Sequence, residues 1–379
     1  MSYAGLIKIT GPEPAEGHSF YENGVSTSST TLVFFILYSD FLILNDRYAT
    51  ATSLSSMTGQ MVSHDKITRF LSEEEYDDRL LWKIVKPHVR KVEQEDGVLI
   101  GDDSFSEKPH MDENGIVGWY YDHSKGRSVK GISVMSVLYE VNGVSIPLSV
   151  RIVRKDVQGK PVQGKNEMFR ESVLQAIRNQ VKFRYVLADI WYGSSENMEF
   201  IKETHKKDFI FPLKTNRHVA LSEGQHHRKQ YVPISSLNLK PGDRLTVYLK
   251  GVDSPVQLIK DIFVNTDESE GQLYLVCSNL TESYQQIITQ YQKRWRVEEY
   301  HRSLKNNTSL EASPAKTERT QANHIFASVY AFFKLELMKM KLNVNHYAMK
   351  TVLATVALKA AFEKIQELKS GIQLCLNFA

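Results

Sequence analysis

Two β-rich runs, 129–141 and 144–153, are separated by Asn142-Gly143. Asn-Gly supplies the two positive-φ positions of a tight hairpin turn, so the runs predict a long antiparallel hairpin. A hairpin alone is marginal in water and needs further strands or a covering helix. The flanking sequence offers both. Residues 98–102 read as a buried strand, 168–180 as a helix and 183–188 as a second buried strand. Ser194 or Ser195 can cap a helix running to about His205, and 209–213 is another strand candidate. The order is strand, strand, strand, helix, strand, helix, strand. The first three strands are antiparallel and the later ones return through helical crossovers. This predicts an α/β fold, a mixed sheet with flanking helices.

The regions around this core differ in character. Residues up to about Gly24 form a loose lead-in, and from Thr31 to about Lys91 the pattern is helical. Within it, residues 51–71 read as helix, turn, helix, with Ser63 as N-cap of the second helix. Such a pair suits a DNA groove, and it equally suits a plain helical hairpin. Residues from about 217 to 278 form a β-rich insertion, with turn signals at Pro241-Gly242, Asp253-Ser254 and near Gly271. A helix then starts near Ser283, where Gln286 completes a capping-box pattern. After Pro314 the chain reads as helical to near Lys369. This suggests a helical N-terminal region at 1–92, a central domain at 93–330 and a helical C-terminal region at 331–379.

Composition excludes several classes. Of 379 residues, 42% are hydrophobic and 24% charged, as in a soluble protein with a sizeable core. Lys and Arg number 47 against 44 Asp and Glu, a net charge of +3. The whole-chain balance therefore does not demand a nucleic-acid partner. Local clustering says more, as in Lys293, Arg294, Arg296, Arg302 and Lys305. Two cysteines, Cys277 and Cys375, rule out a disulfide framework and a C-x-x-C metal site, which fits a reducing cytoplasm. The start lacks the features of a signal peptide. The apolar run 32–44 is too short and too interrupted to span a bilayer, so it predicts a buried helix and no membrane partner.

Two apolar runs end in aspartates, Gly97-Val98-Leu99-Ile100-Gly101-Asp102-Asp103 and Phe183-Arg184-Tyr185-Val186-Leu187-Ala188-Asp189. Tyr291, Arg294, Glu298 and Lys305 follow the pattern Y-x-x-R-x-x-x-E-x-x-x-x-x-x-K. On one continuous helix they share a narrow sector, and Arg302 joins them. Three carboxylates amid cations suit a divalent-metal site acting on phosphates. Arg294 and Lys305 would hold phosphates flanking a cut, Tyr291 would stack or hydrogen-bond, and Trp295 would stack on a displaced base. Plainer readings exist for each. A strand-end Asp often caps the next helix, Glu298 with Arg294 and Arg302 is also an i, i+4 ladder, and Trp295 alone is usually a packing residue. His226-His227-Arg228-Lys229 reads as a solvated loop without zinc-ligand spacing.

The Tyr291, Arg294, Glu298, Lys305 spacing resembles the YREK signature of DDE-type transposases from bacterial insertion sequences. Asp102-Asp103-Ser104 resembles that family's first-aspartate motif, and Ala188-Asp189-Ile190-Trp191-Tyr192-Gly193 its second. Segments 309–314 and 63–71 are also similar to family text, so the likeness covers about Asp40 to Lys339. The resemblance implies a ribonuclease-H-like core with a β-rich insertion before the catalytic-glutamate helix. It implies binding to terminal inverted repeats, DNA cleavage at the element's ends and joining of the 3′-OH to target DNA. Family members use Mg²⁺, for which Mn²⁺ can substitute, as two ions, and commonly act as a homodimer in a synaptic complex on the bacterial nucleoid. Asp102, Asp189 and Glu298 take the catalytic metal-ligand positions, with the Asp-x-Ser spacing favouring Asp102 over Asp103. Tyr291, Arg294, Trp295, Arg302 and Lys305 fall to DNA contact. Two other readings stand beside this one: a nuclease on the same core without strand transfer, and a captured sequence-specific DNA-binding protein.

Overall fold

A computed structural model describes residues 29–122, 125–264 and 268–370; the lead-in up to Gly24 and Cys375 lie outside them. Four helices precede the first strand: α1 (Ser29–Leu44), α2 (Ala51–Met57), α3 (His64–Glu73) and α4 (Asp78–Val92). The 32–44 run is helical as expected, and α1 buries Phe35, Tyr38, Phe41, Leu42 and Ile43 in the core while Val33, Ile36 and Leu44 stay exposed. No helix among the described residues is long and apolar enough to cross a membrane. Ser63 caps α3 by accepting the Lys66 N–H, and α3 buries Ile67, Phe70 and Leu71 while exposing His64, Lys66 and Arg69.

The hairpin forms where expected. β1 (Val98–Glu107), β2 (Gly118–Asp122), β3 (Arg127–Val141) and β4 (Val144–Ile152) are followed by α5 (Lys165–Arg178), β5 (Tyr185–Ala188), α6 (Ser195–Glu199) and β6 (Asp208–Leu213). Asn142 and Gly143 join β3 to β4 with φ of 51° and 79°. Those angles are open to Gly and tolerated by Asn, which is why the chain reverses in two residues. β1 pairs antiparallel with β3 and parallel with β5, and β5 pairs parallel with β6. The order β4-β3-β1-β5-β6 is the mixed sheet that was expected, with helices packed against it.

Two features of the sheet depart from the sequence reading. β1 does not stop at Asp102 but runs on to Glu107, because β3 is long enough to pair with it as far as Gly131. Asp102 is thus a mid-strand residue. β2, an aromatic strand absent from the sequence reading, pairs with the opening residues of β3.

The insertion holds β7 (His218–Ala220), α7 (Glu223–His227), β8 (Val232–Pro233), β9 (Arg244–Leu249), β10 (Val256–Val264) and β11 (Glu270–Cys277). It extends the central sheet: β11 pairs antiparallel with β6, and the order continues β11-β10-β9-β7-β8. Cys277 on β11 is a buried free thiol. After it come α8 (Tyr284–Gln292), α9 (Trp295–Asn307), α10 (Glu318–Leu342) and α11 (His346–Ser370). The helical tail turns at Asn343, whose left-handed backbone ends α10. One hydrophobic cluster runs from Phe35 on α1 through the sheet to Phe333 on α10.

A buried polar clasp ties the first and last helical regions to the segment after α9. His324 Nε2 lies 2.9 Å from the Ser309 carbonyl, which can only accept, so Nε2 carries the proton. Its Nδ1 then accepts from Tyr38 Oη at 2.8 Å. Ser309 Oγ in turn donates to the Leu42 carbonyl at 3.0 Å. Burial, with Lys108 adding, pushes the His324 pKa from 6.5 down to about 4. Above pH 6.5 both folded and unfolded chains hold this ring neutral. Between 6.5 and 4 the unfolded chain takes up the proton and the folded one does not, so stability falls as pH falls through that window. The full span is worth about 3 kcal/mol. Denaturant titrations at pH 7 and pH 4.5 should show wild type losing more stability than His324→Gln, and equal losses would remove this linkage.

Candidate active site

Strand pairing brings the two aspartate motifs together. In the parallel ladder of β1 and β5, Gly101 is level with Ala188. Asp102 and Asp189 each follow the last residue of that ladder, and the Asp189 charge is felt at Asp102. Alternation along β1 sends Asp102 and Asp103 to opposite faces. Asp103 faces α5, where it pairs with Lys165 at 2.6 Å and accepts from Tyr192 Oη at 2.8 Å. Asp102 faces α9, as does its cross-strand partner Ser136, which meets Tyr300 Oη at 3.3 Å. Asp189 also caps the short turn Ile190–Tyr192 by accepting the Ile190 N–H, and that turn aims Tyr192 back at Asp103. The capping reading of this aspartate is therefore realised, alongside its place next to Asp102. Gly193 must be small here, since a Cβ would sit 2.9 Å from the Pro212 carbonyl oxygen.

The glutamate is carried on a helix whose start the sequence signals well. Ser283 accepts the Gln286 N–H at 3.2 Å, and the Gln286 side chain accepts the Ser283 N–H at 2.8 Å. The helix is not continuous, however. At Lys293-Arg294 the backbone bonds shorten to three-residue spacing, with Lys293 bonded to Gln290, Arg294 to Tyr291, Arg296 to Lys293 and Val297 to Arg294. Such a turn advances about 120° per residue in place of about 100°. Tyr291 thus lies in the last turn of α8, Arg294 occupies the break, and Glu298 and Lys305 lie on α9. The single narrow sector expected of one straight helix is corrected accordingly.

Arg294 joins the parts. Its guanidinium is 3.3 Å from Glu298, 4.0 Å from Asp102 and 5.9 Å from the Tyr291 ring centre. Burial raises the Asp102 pKa to about 7, with the charges of Asp103, Glu298 and Asp189 adding and the Asp103 N–H opposing. That field couples all three predicted carboxylates at Asp102. Burial likewise raises the Tyr291 hydroxyl. Trp295 is 56% exposed, and so is Trp191 beside Asp189 at 60%. Lys305 pairs with Glu311 at 3.2 Å. Arg302 is exposed and makes no ion pair among the described residues.

One residue escaped the sequence reading. His301 is buried, and one of its ring nitrogens forms a group with carboxylate oxygens of Asp102 and Glu298, all within 4.8 Å of one another. Asp189 is not one of that group. The signal was present as Glu298-x-x-His301, a spacing that puts both side chains on one helical face. Burial, opposed by Asp103 and reinforced by Lys305 and Arg294, holds the imidazole pKa down to about 4. Two carboxylates with an imidazole and a raised carboxyl pKa form a donor set suited to a divalent cation.

Comparison with known proteins agrees with this geometry. No curated protein matches the chain. Among solved structures, endonuclease V from Bacillus subtilis is similar at 10% identity over 71% of this chain and 96% of that one, with a TM-score of 0.23, a likeness too loose to bear on the site. Residues 93–333 match the family described as the transposase DDE domain, whose members use divalent metal ions and act on DNA. With well over half of its length matched, the chain belongs to the transposase DDE domain family and is an enzyme of the DDE nuclease and transposase kind.

Proposed function

We propose that this transposase belongs to the YREK-bearing group of bacterial insertion sequences. It binds the terminal inverted repeats of its element, cleaves their ends and joins the 3′-OH to target DNA. The observation that supports this most is the approach of the three carboxylates: Asp102 and Asp189 each follow the last paired residues of β1 and β5, Glu298 is joined to Asp102 through Arg294, and the charges of Asp189 and Glu298 are both felt at Asp102. Asp102, Asp189 and Glu298 hold divalent cations, Mg²⁺ with Mn²⁺ as substitute. When bound, a pair of such cations supplies an activated oxygen nucleophile and stabilises the leaving oxygen.

The remaining residues position and guard. Arg294 balances the carboxylate charge and fixes the Glu298 side chain, and Tyr291 packs beneath its guanidinium. Trp295, exposed next to this cluster in sequence, offers a face for a displaced base. Arg302 and Lys305 lie one and two turns further along α9, where exposed cations grip phosphates. The 1–92 region, through the exposed face of α3, binds the repeats; 93–330 is the catalytic domain, and α10 packs against its strand β4. The working form is a homodimer in a synaptic complex on the nucleoid.

Purified protein, DNA carrying the element's ends and Mg²⁺ should yield nicks at those ends. Pre-cut ends with a free 3′-OH should be joined to a plasmid. Cleavage without any joined product would leave a nuclease in place of a transposase. Binding to the ends without cleavage would leave a captured DNA-binding protein.

A further inference from the structure

We propose that His301 is a metal ligand, a ring nitrogen completing an oxygen, oxygen, nitrogen site with Asp102 and Glu298. This deepens the functional reading above and rests on its assignment of those two carboxylates to a cation. Three observations carry it. A ring nitrogen of His301 and one oxygen from each carboxylate lie within 4.8 Å of one another. The side chain is buried, with 8% of the residue exposed. Its Nε2 has no hydrogen-bond partner among the described residues.

A buried polar atom without a partner costs about 1–3 kcal/mol, so such atoms are rare unless something else satisfies them. A cation between the three side chains would do so. His301 is also set precisely enough for the task. It sits on α9 between Tyr300, whose ring lies 4.7 Å from Phe332, and Ser303, whose hydroxyl is 2.9 Å from His346 Nδ1. Its own ring centre lies 5.3 Å from that of Tyr300.

The nitrogen has a chemical consequence. Mg²⁺ favours oxygen ligands, whereas imidazole suits later divalent ions. The site therefore binds Mn²⁺ more tightly than Mg²⁺, by a margin that depends on His301.

Pulsed electron paramagnetic resonance on the full chain loaded with Mn²⁺ tests this directly. In protein labelled with ¹⁵N-histidine, the bound ion should show coupling to a histidine nitrogen. His301→Gln should lose that coupling and weaken Mn²⁺ binding about 10- to 100-fold, with a smaller change for Mg²⁺. The wild-type spectrum needs no variant to fold, so it decides the matter by itself. If Mn²⁺ binding depends on Asp102 and Glu298 but shows no nitrogen coupling, the carboxylate site stands and His301 is not a ligand. If Mn²⁺ binds regardless of Asp102→Asn and Glu298→Gln, the metal assignment falls and takes the proposal with it.

Discussion

Glu298→Gln is expected to lower cleavage at the element's ends by about 10³-fold or more while leaving the fold and DNA binding in place. Gln keeps the shape of the side chain and an oxygen for Arg294, which lies 3.3 Å away. What it removes is the negative charge on which the proposed metal site depends. Glu299→Gln is the matched control. Glu299 is exposed and pairs with Arg296 at 2.7 Å, on the outer side of the same helix. The same assay separates the adjacent aspartates. Asp102→Asn should be as inactive as Glu298→Gln. Asp103→Asn keeps an oxygen for Tyr192, weakens the pairing with Lys165 and removes no proposed ligand, so it should reduce activity only partially. Equal activity of Glu298→Gln and wild type would end the triad assignment.

The second large effect lies beneath the site. Phe169→Ala should destabilise the protein by about 3–5 kcal/mol. Phe169 on α5 is fully buried, with ring centres 5.0 Å from Tyr192 and 6.3 Å from Phe211. It also fills the space that Gly101 leaves on β1, where a Cβ would lie 2.4 Å from Phe169 Cε2. Gly101→Ala should therefore destabilise by overpacking, by about 1–3 kcal/mol. In a Phe169→Ala background the same change enters vacant space, and most of its penalty should vanish. Denaturant midpoints for the two single variants and the double variant measure that coupling. Strict additivity would show that the two positions do not share one packing site.

Much of this was legible because the informative elements obey local rules. Asn142-Gly143 dictates a turn through backbone angles alone. The buried strand cores Val98-Leu99-Ile100 and Tyr185-Val186-Leu187-Ala188 are continuous apolar runs, as strands covered on both faces must be. Ser63 and Ser283 announce helix starts through their own side chains. The two aspartates stood out because each follows such a strand. What the sequence concealed depends on neighbours distant along the chain. β1 passes beyond Asp102 only because β3 is there to pair with it, and nothing in Asp103-Ser104-Phe105 reveals that partner. β11 joins β6 across the whole insertion, so the β-rich segment extends the sheet. The break at Lys293-Arg294 involves no Gly or Pro, the usual marks of a helix interruption. His301 was overlooked for another reason: a lone histidine on a charged helix is unremarkable until its burial and neighbours are known.

The parallel register of β1 and β5 has a bearing on synthesis. Asp102 and Asp189 become adjacent only when segments far apart in the chain pair, a slow kind of closure. Glu298 emerges from the ribosome later still, after the entire insertion. A growing or prematurely terminated polypeptide that ends before α9 can fold part of the sheet but carries an incomplete set of acidic groups. On the proposed triad such fragments lack one metal ligand, so cleavage requires translation to have passed Glu298.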